Sequence, residues 1–410
     1  MIRNLEGSQN LELSIEKQEN YLPNENLAFE ITKRLAFPRL IGSDGEKKAI
    51  FIVKDEFRKI GLEPISEKFQ TSFANWVIIR LLFLILGTGL IASSIMFFYY
   101  PFITSLISIL YIFICLYLSK LSGVIGTFGK TYITENIIGK LNSKLANANV
   151  VLMAHWDSKG QKFSGSVRII TMIISLFGVI VISTLYLIFG VLYLLGFYNS
   201  LINYGLFIGT ICVISISFIN VLNKITNCSP GAIDNAASVA SLLTLARYFH
   251  YTNNIKNLNL YFVATGSEEL NLAGASSFIK KHKLEFEEIP TYFINFDLIG
   301  GSEKLLMINS YGFPKKTTSL FLYNLFKMES KKLNIPFKAM YLPFGAWCDL
   351  MPILNEGFDG CWIASEGTFS LAHTTNDSIY NVSKKGLKNG IDLTIEVIKK
   401  IDRIYQNFIK

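Results

Sequence analysis

The chain has 410 residues, of which 50% are hydrophobic and 13% aromatic, and its formal net charge is +8. This apolar content excludes a disordered chain and exceeds what the core of a soluble α/β protein requires, so it indicates membrane-spanning segments. The excess basic residues are scattered and form no basic motif with an aromatic platform. Their distribution argues against a nucleic-acid partner and favours contact with anionic lipid headgroups.

Four long, nearly uncharged apolar stretches occur in two pairs along the chain. They cover residues 76–98, 102–118, 169–195 and 204–222. Each approaches the roughly 20 residues that a membrane span needs, so the sequence predicts four spans in two transmembrane hairpins. The hairpins, at 76–118 and 169–222, interrupt a single domain whose three parts are residues 1–75, 119–168 and 223–410.

The polar sequence on either side of the hairpins is expected to lie on one face of the membrane, because each hairpin begins and ends there. Basic residues flank the spans on that face: Lys120, Lys130, Lys159, Lys162, Arg168 and Lys224. By the positive-inside rule the polar domain is predicted to be cytoplasmic. The first residues show no apolar segment typical of a cleaved signal peptide, and the five cysteines have no metal-type spacing, as is typical of free thiols.

Three short, continuously apolar runs predict strands that are buried on both faces of a mostly parallel sheet. They cover residues 149–154, 258–264 and 291–296 and are rich in β-branched and aromatic residues. Ligands bind beyond the carboxyl ends of such strands, and polar strings follow each of these runs. We therefore expect these strings to line one pocket of an α/β domain, whose last helix begins near residue 384.

The polar strings contain two histidines and several carboxylates. In chain order they include His155 and Asp157, Asp234, the pair Glu268 and Glu269, Asp297, and His373. Imidazoles together with carboxylates favour zinc, with Mn²⁺ or Co²⁺ as substitutes. Five ligands exceed what one open zinc uses, whereas two ions about 3.5–4 Å apart, bridged by one carboxylate, would use all five. Of two adjacent glutamates, one can bind metal while its neighbour moves a proton.

These ordered strings resemble the co-catalytic zinc aminopeptidases of metallopeptidase family 28. The resemblance extends to the run AFPRLIGSD at residues 36–44 and the run AGASSF at residues 273–278. It implies a three-layer α/β/α domain, here with two inserted hairpins, that hydrolyses N-terminal residues from peptides through a hydroxide bridging two zinc ions. It implies the following ligands: His155 and Asp297 for one ion, Glu269 and His373 for the other, and Asp234 bridging both.

The resemblance also implies roles for three further carboxylates. Glu268 would be the general base, and Asp157 would accept the second ring N–H of His155 and fix its tautomer. Asp349 occupies a position where the family often has an aspartate that supports the pocket. Four aromatic residues are candidates for the substrate-binding wall: Tyr341, Phe344, Trp347 and Phe369.

The chain departs from the family at the residue before the second histidine ligand. Many members have a tyrosine there, whereas this chain has Ala372, so a hydroxyl that could stabilise a tetrahedral oxyanion is missing. Ser370, Thr374 or a metal ion could take its place. Because the second hairpin falls between the strings of His155 and Asp234, the mouth of the site is expected near the bilayer surface, where hydrophobic peptides would reach it.

Other interpretations of the same residues remain open at this stage. Taken alone, the paired glutamates could stabilise a helix N-terminus and Asp234 could cap a helix. His250 and His282 have no such neighbours and are expected on the surface. The alternative functions are a glutaminyl cyclase-like enzyme with a single zinc and a non-catalytic metal-binding membrane scaffold or receptor. The sequence leaves open a carboxypeptidase or dipeptidase preference and the oligomeric state.

Overall fold

The computed structural model describes residues 25–120, 127–312, 314–343 and 347–406. Its helices are α1 (Glu25–Leu35), α2 (Asp44–Ile60), α3 (Ala74–Met96), α4 (Pro101–Lys120), α5 (Gly165–Leu194), α6 (Ser200–Leu222), α7 (Ala237–Thr252), α8 (Glu268–Asn271), α9 (Ala273–Glu287), α10 (Leu320–Lys332), α11 (Leu350–Asn355) and α12 (Lys384–Gln406). Its strands are β1 (Ile65–Ser72), β2 (Thr131–Leu141), β3 (Ala148–His155), β4 (Gly160–Gln161), β5 (Ile225–Thr226), β6 (Leu258–Thr265), β7 (Thr291–Phe296), β8 (Leu305–Tyr311), β9 (Lys316–Thr317), β10 (Phe337–Leu342) and β11 (Asp359–Ser365).

A mixed sheet forms the centre of the α/β domain, with strand order β1-β2-β6-β3-β7-β11-β8-β10. Its four middle strands, β6, β3, β7 and β11, run parallel to one another, whereas β2 and β8 run antiparallel to their middle neighbours. The three runs that predict buried parallel strands are β3, β6 and β7, and that prediction is confirmed. All eight residues of β3 are buried, which explains why this strand is apolar without alternation.

Helices cover the sheet on both sides and complete the three layers. On one side α7 packs against the middle strands β3, β6 and β7, and α1, α2 and α12 pack against α7 in turn. On the other side α9 contacts β1 and β2, and α11 contacts β7 and β11. The apolar core between these layers runs from Ala28 to Ile401, so segments from both ends of the described chain belong to one folded unit.

The apolar stretches form a separate four-helix bundle, in which α4 and α6 both contact α5 and α3 packs against α6. Three of these helices, α3, α5 and α6, are long and apolar enough to cross a membrane. The fourth, α4, has a described apolar part of 17 residues, Pro101–Tyr117. The sequence predicts four spans, and by length and composition the structure supports three.

The bundle keeps its polar groups inside and its apolar side chains outside. The Tyr186 hydroxyl lies 2.8 Å from Thr210 Oγ1, and Ser105 donates to the backbone oxygen of Tyr186 on the neighbouring helix. Large apolar side chains face outward, including Leu81, Ile85, Leu106, Phe113, Ile170, Phe177, Leu201 and Ile208. Paired internal hydroxyls such as these and an apolar exterior suit a hydrocarbon solvent, and among the described bundle residues the buried Ser183 hydroxyl is the exception without a hydrogen-bond partner.

A charged cluster joins α9 to the edge strand β1 on the opposite side of the domain. His282 Nε2 lies 2.9 Å from Glu67 Oε1, and His282 Nδ1 lies 2.8 Å from Glu285 Oε2. The imidazole is 19% exposed and its ring centroid lies 4.7 Å from that of Phe278. The prediction that His282 is a surface residue is wrong, because two carboxylates on different elements enclose its ring.

We expect His282→Gln to lower the free energy of unfolding by about 1 kcal/mol near pH 5.5 and by much less near pH 9. Burial lowers the pKa of His282, but Glu67 and Glu285 outweigh burial and raise it above its usual value. A raised folded-state pKa stabilises the fold below the unfolded pKa, and this stabilisation is lost as the pH rises through the folded pKa. Urea unfolding at both pH values would check this, and equal effects would contradict it.

Candidate metal centre

The candidate ligands meet at one edge of the sheet because four neighbouring strands point their carboxyl ends there. His155 is the last residue of β3, and Asp297 directly follows β7. Glu268 and Glu269 begin the short helix α8, three residues after β6, and His373 lies in the loop that follows β11. The predicted convergence of the polar strings is therefore present in the structure.

The ionisable side chains at this edge form two triads. Each offers three ligand atoms within 4.8 Å of one another: His155, Glu268 and Asp297 in the first, and Asp234, Glu269 and His373 in the second. The sequence suggests that Glu268 is the base and that Asp234 is the bridging ligand. In the structure Glu268 belongs to the first triad and Asp234 to the second. The side chains are buried or nearly so, which concentrates four carboxylates in a region poor in water.

Asp234 lies between the two histidines and faces each with a different oxygen. Its Oδ1 is 3.3 Å from His155 Nε2, and its Oδ2 is 3.2 Å from His373 Nε2. Two ligands on one tetrahedral zinc lie roughly 3.3 Å apart, given bonds of about 2.0–2.1 Å. Further ligand pairs are compatible with that spacing, with Asp297 Oδ1 3.8 Å from His155 Nε2 and Glu269 Oε2 2.9 Å from His373 Nε2. The donor set of imidazoles and carboxylates at these spacings therefore fits zinc.

The loop that carries Asp234 is held from two sides. Asp377 accepts hydrogen bonds from the backbone N–H groups of Ile233 and Asp234, at 2.6 and 3.0 Å. Asn235 donates to the backbone oxygen of Phe296, next to the ligand Asp297. Gly231 has φ of +59°, and a Cβ there would lie 2.5 Å from the backbone oxygen of Asp234, so the tight approach requires glycine.

Three non-glycine residues at the site adopt left-handed backbone conformations. Ser267, with φ of 59°, precedes Glu268, Leu298, with φ of 66°, follows Asp297, and His373 itself has φ of 66°. Such conformations are costly and persist where the surrounding structure enforces them, often at functional sites. Here they turn each strand end so that the carboxylate or imidazole points into the shared pocket.

Asp157 holds the two glutamates through their backbone. Its carboxylate accepts from the N–H groups of Glu268 and Glu269, both at 3.2 Å. The structure differs from the prediction in the acceptor for His155: Nδ1 lies 3.1 Å from the backbone oxygen of Asp157 and 3.7 Å from its carboxylate. The carboxylate is occupied by the start of α8, so the carbonyl takes its place. A proton on Nδ1 still leaves Nε2 free as a ligand.

Burial and charge shift the pKa values of the site in opposite directions. Burial raises the pKa of Glu268 well above its usual value, and the neighbouring carboxylates add to this effect. For Glu269, burial also acts to raise the pKa, but His373 and Lys159 outweigh it and lower the pKa to about 2. The two adjacent glutamates therefore differ in environment, as the predicted division between base and ligand requires.

The structure adds a residue that the chemical interpretation of the sequence missed. Arg39 is fully buried, and its guanidinium donates to five backbone oxygens, those of Leu35, Phe37, Trp156, Pro230 and Gly231. It thereby ties the segment before α2 to the loops that carry His155 and Asp234. Burial lowers the pKa of Arg39 to about 10, although nearby carboxylates oppose this. The sequence signal that could have identified Arg39 is its place in the run AFPRLIGSD at residues 36–44.

Two cationic side chains and a glutamine lie beside the second triad, and sequence reasoning assigned none of them to the site. Lys159 Nζ is 2.9 Å from Glu269 Oε2 and also donates to the Glu269 backbone oxygen. Gln161 Oε1 lies 2.8 Å from His373 Nδ1, and the Arg168 guanidinium contacts the same ring nitrogen. Lys159 and Gln161 come from the segment that joins β3 to α5, and Arg168 belongs to the first turn of α5. The apolar helical bundle thus begins next to the candidate ligands.

A second helix of the bundle also reaches the site. Trp76, in the first turn of α3, donates from Nε1 to the backbone oxygen of Glu269 at 3.4 Å. Lys159 Nζ lies 5.2 Å from the centre of the Trp76 ring, a cation–π distance. The amino ends of α3 and α5 therefore flank the second triad.

The structure describes Asp349, the predicted supporting carboxylate, and three of the four aromatic residues predicted to line the substrate-binding wall. Asp349 is buried, accepts from the Thr265 hydroxyl and has a pKa raised to about 7 by burial. Tyr341 and Trp347 are 39% and 38% exposed, and Phe369 packs edge-on against another aromatic ring. The place of these three residues in a substrate-binding wall stays a prediction, and Phe344 lies outside the described residues.

Comparison with known proteins confirms the resemblance. The model of Peptidase family M28 matches residues 215–398, a range that contains every candidate ligand except His155. Aminopeptidase YwaD of Bacillus subtilis (strain 168) is 29% identical over 186 residues, which are 42% of this chain and 39% of that protein. The matched region therefore spans well under half of the curated relative's length.

Solved structures share the fold at low sequence identity. The zinc aminopeptidase BSAP from Bacillus subtilis has a TM-score of 0.53 at 13% identity, over 92% of this chain and 95% of that one. An Acidobacteriales bacterium glutaminyl cyclase has a TM-score of 0.52 at 14% identity, over 93% and 95%. The α/β domain with its mixed sheet is thus the fold of this peptidase family, a fold that the cyclase shares.

Proposed function

We propose that the chain is an integral-membrane aminopeptidase that uses two zinc ions to hydrolyse N-terminal residues from peptides. The observation that carries the proposal is the pair of triads on either side of Asp234, whose two oxygens face His155 and His373. In this assignment His155 and Asp297 would hold one ion, Glu269 and His373 would hold the other, and Asp234 would contribute to both sites. The matches to an aminopeptidase and to a peptidase family support the same reaction class.

The chain's own residues supply proton transfer and orientation. When bound, zinc acts as a Lewis acid and lowers the pKa of a water molecule. Glu268 is the general base: it takes a proton from the attacking water and passes it to the leaving amine. Asp157 fixes the direction of Glu268 by binding its backbone N–H, and its backbone oxygen orients the His155 ring.

The proposal is tested with purified, zinc-loaded protein and a panel of peptides offered with free and with N-acetylated amino termini. We expect release of the first residue from the free peptides only, with loss of activity on chelation and recovery with zinc. Release of the last residue instead would identify a carboxypeptidase. Cyclisation of peptides that begin with glutamine, without hydrolysis of any peptide, would favour the cyclase alternative that the shared fold allows.

We also propose that the helical bundle lies in the bilayer with the catalytic domain in the cytoplasm. The three long apolar helices and their outward-facing side chains support the place of the bundle in the bilayer. The cytoplasmic side is proposed from the basic residues that flank the apolar stretches. The protein should stay with the membrane fraction after an alkaline carbonate wash, and release into the supernatant would contradict the proposal. A membrane-impermeant maleimide should label the exposed Cys228 only after the cells are opened. Labelling in intact cells would place the domain outside.

A further inference from the structure

Two asparagines of α6 mark the ends of the apolar zone of the bundle. Asn220 Oδ1 lies 3.0 Å from Thr171 Oγ1 at the end next to the catalytic domain, and Asn203 Oδ1 lies 2.7 Å from the Tyr193 hydroxyl at the other end. At 1.5 Å per residue the two levels are roughly 26 Å apart along α6 and roughly 33 Å apart along α5. These lengths bracket the hydrocarbon thickness of about 30 Å, so the levels correspond to the edges of the hydrocarbon layer.

The surface of the bundle changes character at the level of Asn220. Between the two levels the exposed side chains of α5 include Ile174, Phe177, Val181 and Ile188. Arg80 lies at the near level, since its Nε donates to the backbone oxygen of Val221 at 2.8 Å. Lys162 and Lys224 follow outside it and are exposed. Apolar side chains below this level and cations at or above it are typical of the boundary between hydrocarbon and headgroups.

The second triad lies close to this boundary on the side of α5. Arg168 comes one helical turn before Thr171, about 5 Å farther from the hydrocarbon. Its Nη2 donates to the backbone oxygen of Ala372 at 3.3 Å, and Ala372 directly precedes the candidate ligand His373. One helical turn and one side chain therefore separate His373 from the edge of the hydrocarbon layer.

The start of α3 gives the same short distance from another helix. Trp76 comes one turn before Arg80, and its Nε1 donates to the backbone oxygen of the candidate ligand Glu269 at 3.4 Å. One turn and one side chain together measure roughly 10 Å. Two helices thus place the second triad about 10 Å from the hydrocarbon layer, beside the lipid headgroups.

Access to the centre is also on this side. The His373 side chain is 16% exposed, whereas the other five residues of the two triads are 2–8% exposed. Solvent therefore reaches the candidate ligands beside His373, next to the first turn of α5. A peptide that enters there comes from the layer of the headgroups.

We propose that the preferred substrates are peptides anchored in the bilayer, whose free amino termini extend only a few residues from the membrane surface. This inference rests on the proposed aminopeptidase function and on the proposed place of the bundle in the bilayer, and it adds the substrate class. An anchor confines the peptide to the layer that contains the entrance, which raises its effective concentration there. An extended chain spans about 3.3 Å per residue, so about four residues cover 10 Å and about six reach into the centre.

The test uses zinc-loaded protein in phosphatidylcholine vesicles that contain some phosphatidylglycerol. One peptide sequence with a free amino terminus is offered without an anchor and with a two-chain lipid at its carboxyl end, which holds it stably in the outer leaflet. With a peptide of about six residues, we expect the anchor to raise kcat/KM at least roughly tenfold. Lengthening the anchored peptide to about 20 residues should add little, because the short peptide already reaches the centre.

Two controls separate proximity from other effects of the lipid. The same anchored peptide in separate vesicles, which do not contain the protein, should show no gain over the peptide without an anchor. In detergent, the peptide without an anchor should be cleaved as well as it is in vesicles, which shows that the centre itself is intact.

Equal or lower kcat/KM for the anchored peptide in the same vesicles would overturn the inference, and so would an equal gain in separate vesicles. Cleavage that begins only at spacers of about 12 residues would also overturn it, because the centre would then lie about 40 Å from the membrane. No cleavage of any peptide in detergent would instead overturn the proposed function. Failure of the protein to float with the vesicles would overturn the place of the bundle in the bilayer.

Discussion

Replacing Glu268 with glutamine is expected to lower kcat for peptide hydrolysis by roughly 10²–10⁴-fold, the range of a general base, while leaving two zinc ions bound. Glutamine has the same shape as glutamate but cannot take a proton. Glu268 is buried and its Oε2 lies 3.8 Å from His155 Nε2, so it faces the ligands at close range. Its backbone N–H stays bound to Asp157 in the variant, which keeps the side chain in place. Steady-state kinetics with elemental analysis of zinc would measure both quantities.

The adjacent glutamate supplies the matched control. Glu269 Oε2 lies 2.9 Å from His373 Nε2, so Glu269→Gln should weaken binding of the ion on that side as well as lower activity. The two substitutions lie at adjacent positions of the same short helix, and each removes one negative charge from the wild type. If Glu268→Gln lost zinc while Glu269→Gln retained it, Glu268 would be the ligand and Glu269 the general base. Full activity of Glu268→Gln would show that Glu268 is not the general base.

Replacing Arg39 with methionine is expected to lower the free energy of unfolding by about 3–5 kcal/mol, because it leaves several buried carbonyl groups without their donor. The guanidinium binds five backbone oxygens from three separate segments of the chain. Two of those segments lead to His155 and Asp234. We therefore expect weaker zinc binding together with the lower stability, and chemical unfolding with and without chelator would measure both.

Arg34→Met is the control for Arg39→Met, since Arg34 lies only five residues earlier. Its side chain is 40% exposed and pairs with Asp55 and Glu56 on the next helix. Lys59 pairs with the same two carboxylates and stays in place, and partly exposed ion pairs contribute about 0–1 kcal/mol, so this variant should lose much less stability than Arg39→Met. Equal destabilisation by the two substitutions would contradict the account of Arg39 as the residue that joins the loops.

The parts of the fold that sequence predicts best are those that depend on a continuous pattern. Strand β3 is buried at every position because it lies in the middle of the sheet, and the same holds for most of β6 and β7. The polar strings at their carboxyl ends follow from the geometry of parallel strands. Length and apolar composition likewise locate the helices of the bundle. The described apolar part of α4 is shorter than the other three helices, so length and composition alone do not qualify it as a span.

The contacts that sequence does not predict are those made by long side chains with backbone atoms of distant segments. Arg39 binds carbonyl groups 117 and 192 positions away, and Arg168 reaches Ala372 across 204 positions. Backbone oxygens are present at every residue, so the chain contains no pattern that marks these partners. The acceptor for His155 is also a backbone group, the carbonyl of Asp157. Sequence alone favours the Asp157 carboxylate instead, because no pattern marks the backbone oxygen as the partner.

The most direct test of the two-ion centre is the number of zinc ions bound per chain in the purified protein and in His155→Ala and His373→Ala. The two histidines belong to different triads, so the wild type should bind two ions and each variant one. One ion in the wild type, or an unchanged number in both variants, would contradict a centre in which Asp234 joins two separate zinc ions.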